Sequence, residues 1–319
     1  MREDSEPGPP AGILPPSGRQ TELVSGAAAV VVTEVGGGIR SFEIGGEPVL
    51  FGYPAGELCS GGKGQVLAPW PNRLEDGSYT FEGVAATAAL DEPEHANAIH
   101  GLVRWSNWEV SQQAPDSANM GIELAPQPGY PWRIRIEVSY QLATASELRV
   151  SVRATNLSAT RAPFGVGFHP YVDAGPGGVD ACSLRFAAAG RLVADERGLP
   201  GRSAETAGTE YEFERGRALG GRRLDDCFFG LGEEADWSAT LQRGDGREVT
   251  LTAGPEFAYL MCYTADTLPP RDRRRGVALE PMTCPPNAFR SLDHVVALEP
   301  AGSAGAFWIS RWRITASGW

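Results

Sequence analysis

The chain has 319 residues, 42% of them hydrophobic, enough for one large all-β domain or two ordinary ones with a sizeable core. Its formal net charge of −12 argues against nucleic acid or anionic membrane as partners, because both need a basic surface. No run of about 18 apolar residues occurs, so no membrane-spanning helix is expected.

The first segment, residues 1–18, is rich in Pro, Gly and Glu and reads as a flexible tail. It lacks a basic stretch followed by an apolar one and so does not read as a signal peptide. From residue 19 to 319 no composition shift marks a boundary and no repeat of fixed period appears, so a single domain is expected. The 40 glycines and 25 prolines spread along it leave little room for long helices.

In chain order, "SYTFEG" (78–83) alternates apolar and polar residues after the turn signal "DGS". In "WRIRIEVSYQL", Ile134, Ile136, Val138, Tyr140 and Leu142 alternate with polar residues. After a short turn, Leu148, Val150, Val152 and Ala154 alternate again, which predicts a hairpin of two half-buried strands. "TEYEFERG" (209–216), "EVTLTA" (248–253, after the turn signal "GDGR") and "FWISRWRI" (307–314) predict further strands. The fold class is therefore all-β: a large antiparallel β-sandwich with few short helices.

Polar islands interrupt this pattern. They are Asn72-Arg73 after Pro-Trp-Pro, His100 before Gly101, His169 inside "FGVGFHPYVD", Asp225-Asp226 before two phenylalanines, and Glu280 inside "VALEPMTCPPNAF". Each has a plain structural reading. A histidine among apolar residues is ordinarily a satisfied core histidine. Arg73 could pair with Glu75 or Asp76, Asp225 could cap a turn, and Glu280 could sit on an edge strand. The acidic segment 91–97 fits a loop over a cleft or a solvated surface segment equally well. Together, imidazole and carboxylate are the side chains best suited to proton transfer near neutral pH. No nucleophile elbow, phosphate loop, Cys-His arrangement or metal-ligand spacing accompanies them. The five cysteines show no CxxC spacing and fit free thiols in a reducing cytosol, so a cytoplasmic location is expected. Proton transfer without a cofactor is the expected chemistry.

At these islands the sequence resembles the aldose 1-epimerase (galactose mutarotase) family. The resemblance rests on Asn72-Arg73 followed by "YTFEG", "NAIHG" (97–101), "FHPY" (168–171), "LDDCF" (224–228) and "LEPMTCPPNAF" (279–289), which occur in the family's order from about residue 20 to the end. It implies a large β-sandwich whose open face binds a monosaccharide and interconverts its α and β anomers. It implies that His169 is the general acid toward the ring oxygen and Glu280 the general base for the anomeric hydroxyl. Arg73, His100, Asp225 and Asn72 would hold the sugar, with no cofactor and no metal. The two catalytic side chains are expected to face one pocket, a pyranose width apart. "HGLVR" lacks the second glycine of better-known members, Asp226 and Cys227 follow Asp225, and Asn287 stands where an aspartate is usual. These departures fit a divergent bacterial-type member and bear on sugar specificity more than on reaction type.

Two alternatives remain at this level. The basic run "RDRRRG" (271–276) would suit a hexose-6-phosphate 1-epimerase. Trp70, Trp105 or Trp108 could serve as the stacking platform of a non-catalytic carbohydrate-binding module. Which aldose is bound and the oligomeric state are not readable from the sequence.

Overall fold

In the computed structural model, the described residues are 14–232 and 234–319, without the side chains of Gln112 and Gln113. Most of the tail read at 1–18 lies outside them. Within it, Ser17 is buried and its carbonyl accepts a hydrogen bond from Val35 N (2.9 Å).

Two large antiparallel sheets dominate. One has twelve strands, the other nine, and the hydrophobic core fills the space between them. The hairpin expected from period-two alternation lies inside the nine-stranded sheet, next to its central strand. Strands Ile134–Thr144 and Glu147–Asn156 pair from Ile134↔Asn156 to Leu142↔Leu148, and every apolar residue of the alternation is buried. Burying one such side chain contributes about 1.5–3 kcal/mol, so this hairpin is held by its inner face. The strand expected at 307–314 is Phe307–Ser317. It pairs with both Glu147–Asn156 and Glu248–Ala253.

The segment 209–216 is not a strand. It folds into local turns: Thr209 Oγ1 donates to the Thr206 carbonyl (2.6 Å), and Glu212 accepts from Gly208 N (2.8 Å). Its apolar positions are satisfied without a ladder, because Phe213 stacks on Phe186 and Tyr211 lies under Arg191. Strand pairing resumes only at Arg217–Ala218.

The twelve-stranded sheet positions three of the sequence-predicted site residues, His169, Asp225 and Glu280, while Asn72, Arg73 and His100 lie on or beside the two-stranded ladder of Arg73–Glu75 with Asn97–Ile99. Four adjacent strands lie in the order Tyr171–Asp173, Gly276–Met282, Tyr259–Tyr263 and Asp225–Phe229. Because side chains alternate across a strand, Val277, Leu279, Leu260 and Phe228 enter the core between the sheets. Tyr171, Ala278, Tyr263, Glu280, Met261 and Cys227 fall on the opposite face, with Tyr171↔Ala278↔Tyr263 and Glu280↔Met261↔Cys227 in register. Glu280 is thus on an interior strand rather than an edge strand.

Candidate active site

A cleft of about 300 Å³ opens on that outer face, and all six sequence-predicted residues line it: Asn72, Arg73, His100, His169, Asp225 and Glu280. At its floor, His169 Nε2 lies 3.4 Å from Glu280 Oε1, both side chains buried. The pair therefore faces one pocket, but at hydrogen-bonding distance rather than a pyranose width apart.

Local packing fixes the imidazole. Phe168 turns inward against Trp312 and Phe257, which sends the next residue to the cleft side. The ring of His169 stacks on Tyr171, with centroids 4.9 Å apart and planes 7° from parallel. The Tyr171 hydroxyl donates to the Gly61 carbonyl (2.9 Å), tying the loop 59–64 to the same face. Gly62 in that loop has φ +72, and an added Cβ would lie 2.7 Å from His169 Cδ2. Only glycine allows both the backbone conformation and the approach. The loop is pinned by a buried ion pair, Lys63 Nζ to Asp272 Oδ2 at 2.7 Å.

His100 is clamped by backbone. Asn72 N donates to His100 Nδ1 (3.2 Å), and His100 N donates to the Asn72 carbonyl (2.9 Å). Accepting at Nδ1 makes the neutral ring an Nε2–H donor. His100 has φ +64 and Asn72 φ +56, an unfavourable backbone region for side-chain-bearing residues that this reciprocal bonding holds in place. Asn72 Oδ1 accepts from Arg73 N (2.8 Å), so of its polar groups the side-chain amide nitrogen is the one left for a ligand.

Arg73 does not pair with Glu75 or Asp76. It makes a bidentate contact with Glu92, 19 positions away: Nε to Oε2 at 2.8 Å and Nη2 to Oε1 at 2.9 Å. The neighbouring Arg104, also lining the cleft, pairs with Asp91. The acidic segment is therefore a cleft wall that neutralises two arginines, a role no spacing in the sequence signals. Asp225 is on the water-facing side of the cleft, and Asp226 is withdrawn from it by an ion pair with Arg191.

Burial dominates the electrostatics. It pushes His169 down to about 3, helped by the positive charges of Arg104 and Lys63. It pushes His100 well below the usual imidazole range, with His169 and the two cleft arginines adding to the effect. Glu280 is raised well above the usual carboxylate range by burial and then by Asp225, while Arg73 opposes the rise. Loss of hydration at the cleft wall raises Asp225, opposed by Arg73, with the neighbouring Asp226 adding to the rise. Glu280 Oε2 carries no hydrogen bond from the described residues, which leaves it free to accept one from a ligand hydroxyl. The floor can therefore exchange a proton, and its walls offer hydroxyl-binding groups without an uncompensated positive charge.

The basic run 271–276 does not line this cleft. Arg271 pairs with Glu57, Asp272 with Lys63, and Arg274 with Asp180 and Asp266. Trp70 and Trp108 are core residues, whereas Trp105 is half-exposed at the cleft. No helix among the described residues is long and apolar enough to cross a membrane.

The cleft and its imidazole–carboxylate pair thus lie on the outer face of one sheet of a large β-sandwich. The sequence matches the aldose 1-epimerase family model over residues 19–306, and the chain belongs to that family. It is 27% identical to the uncharacterised protein YihR of Escherichia coli K12 over 283 residues, which cover 89% of this chain and 90% of that one. Its fold matches the GalM/aldose epimerase homologue from C. elegans with a TM-score of 0.82 at 17% identity, over 94% of this chain and 98% of that one. It also matches galactose 1-epimerase from Lactobacillus acidophilus with a TM-score of 0.78 at 18% identity, over 93% and 94% respectively.

Proposed function

We propose that the protein is an aldose 1-epimerase acting on a free, uncharged aldose, with His169 as general acid toward the ring oxygen O5 and Glu280 as general base toward the hydroxyl O1. The single observation that carries this reading is the 3.4 Å approach of His169 Nε2 to Glu280 Oε1 on the floor of a polar cleft. O1 and O5 are both bonded to the anomeric carbon. Two groups that must reach both atoms at once should therefore be close neighbours, not a ring width apart.

The pair carries one exchangeable proton. In ring opening, imidazolium delivers it to O5 as the C1–O5 bond breaks, and the carboxylate takes the proton of O1 as the carbonyl forms. Rotation about C1–C2 presents the other carbonyl face. On closure O5–H returns its proton to His169, and Glu280 returns its proton to the carbonyl oxygen, restoring both groups. Without a ligand, burial draws the shared proton toward Glu280 and away from His169. A bound sugar donates to the carboxylate and accepts from the imidazole, which favours the charged forms and returns the proton to His169. Positioned groups of this kind contribute about 10²–10⁴-fold per proton transfer. Arg73, His100, Asp225 and the Asn72 amide hold the remaining hydroxyls. Because Arg73 and Arg104 are each matched by a carboxylate, the cleft suits a neutral sugar better than a phosphosugar.

Polarimetry on freshly dissolved α-galactose and α-glucose tests the reading. The protein should speed the approach to equilibrium, and His169→Asn or Glu280→Gln should abolish the effect. Full activity in both variants would refute the assignment, and faster turnover of a 6-phosphosugar would overturn the preference for free sugar.

A further inference from the structure

We propose that Glu92 is a positioning residue of the active site, holding the guanidinium of Arg73 in a three-sided cradle and supplying the counter-charge that limits its pull on Glu280. This inference rests on the epimerase reading above.

The cradle has three components, two on the segment 91–97 and one on a remote hairpin. The first is Glu92, whose two oxygens engage Nε and Nη2 of Arg73 and leave Nη1 as the nitrogen without a partner among the described residues. Bidentate geometry fixes the plane of the guanidinium as well as its place. The second is Asn97, fully buried, whose Nδ2 donates to Glu92 Oε2 (3.1 Å) and to the Arg197 carbonyl (2.9 Å). The backbones of Glu92 and Asn97 also bond reciprocally, at 3.1 and 3.2 Å, so the carboxylate cannot drift. The third is the tip of the hairpin between strands Gly190–Ala194 and Pro200–Glu205. Arg197 at this tip donates to the carbonyls of His95 (2.9 Å) and Ala96 (2.8 Å), locking the hairpin onto the segment that carries Glu92. The next residue, Gly198, has φ +74 and covers the guanidinium. An added Cβ would lie 2.5 Å from Nη1, 2.6 Å from Cζ and 2.8 Å from Nε of Arg73.

A partly buried ion pair is a poor device for stability alone, because desolvating the two charges offsets much of their attraction. Here the pair sits beside the groups that titrate. Arg73 is the positive neighbour that opposes the raised proton affinity of Glu280, while Asp225 reinforces it. His169, Tyr171, Cys227 and Cys262 complete the titratable surroundings of Glu280 from the adjacent strands. Glu92 itself faces Arg73, Asn97 and His95. Removing its charge leaves Arg73 uncompensated and strengthens the field that favours ionised Glu280.

The test is Glu92→Gln, which keeps the shape and removes the charge. Polarimetry over a range of sugar concentrations and pH should show KM raised about tenfold, the loss expected when a substrate-binding fork is misplaced. kcat at the optimum should stay within about threefold of wild type, and the acid limb of the pH–rate profile should move to lower pH. A merely structural residue would change thermal stability and leave both KM and the acid limb in place; that result would overturn the proposal. Gly198→Ala, which displaces the guanidinium while Glu92 remains, should raise KM on its own, and an unchanged KM there counts equally against the cradle. If the wild-type protein turns over no aldose, the epimerase reading fails separately. The cradle is then judged by a crystal structure of Glu92→Gln: a rotated Arg73 supports it, an unmoved one overturns it.

Discussion

His169→Asn separates the electrostatic cost of burying this imidazole from its proposed chemistry. In the folded protein, burial holds His169 down to about 3, whereas an imidazole in the unfolded chain titrates at ~6.5. A depressed folded pKa means that the unfolded state binds the proton first. Stability is therefore fully present above pH 6.5 and is lost as pH falls toward the folded value. At pH 5 the unfolded imidazole is 1.5 pH units below its pKa and the folded one is still neutral, so the penalty is about 2 kcal/mol, against nearly nothing at pH 7.5. Asparagine has no proton to bind and escapes this penalty. His100 is held low chiefly by its own burial, which the substitution leaves in place, so its contribution largely cancels in the comparison. The stability difference between variant and wild type should therefore shift by about 2 kcal/mol in favour of His169→Asn between pH 7.5 and pH 5. For 319 residues that corresponds to about 3 °C in Tm. Urea unfolding at the two pH values reads it directly. A difference that stays constant, or that moves toward wild type at pH 5, would refute the claim that burial keeps this ring neutral.

Three further outcomes follow from the same geometry. Glu280→Gln should lose activity yet gain stability relative to wild type as pH rises from 4 to 8, because a raised carboxyl pKa makes the folded state pay increasingly above the unfolded value; Tm against pH for both proteins checks this. Gly62→Ala should lower kcat by about 10–100-fold in polarimetry, since its Cβ would sit 2.7 Å from His169 Cδ2 and push the ring off its stack with Tyr171. Asp272→Ala should destabilise by about 3 kcal/mol or more in urea unfolding, because Lys63 is almost wholly buried and would lose its counter-ion.

What was legible in the sequence, and what was not, follows from the range of the interactions. The 134–156 hairpin could be read because period-two alternation is a local consequence of one buried face, and its register came out as the alternation demands. The same pattern failed at 209–216, where Thr209 and Glu212 satisfy the backbone within a few residues and no partner strand competes. The family motifs brought all six site residues to one cleft, but their partners were not readable. Whether Arg73 meets Glu75 or Glu92 depends on where the segment 91–97 folds back. Whether residues 271–276 bind phosphate depends on carboxylates as remote as Glu57 and Asp180. The spacing of His169 and Glu280 was misjudged because it was set against the width of the sugar. The proposed chemistry involves two oxygens on one carbon.

The most direct test of the central claim is a crystal structure of Glu280→Gln soaked with galactose, in which turnover is blocked and the sugar should remain in the cleft. The ring oxygen should lie within about 2.6–3.2 Å of His169 Nε2, with the anomeric hydroxyl at the same distance from the side chain at position 280. A sugar bound with its anomeric carbon turned away from these two residues, or lodged outside the cleft, would contradict the account.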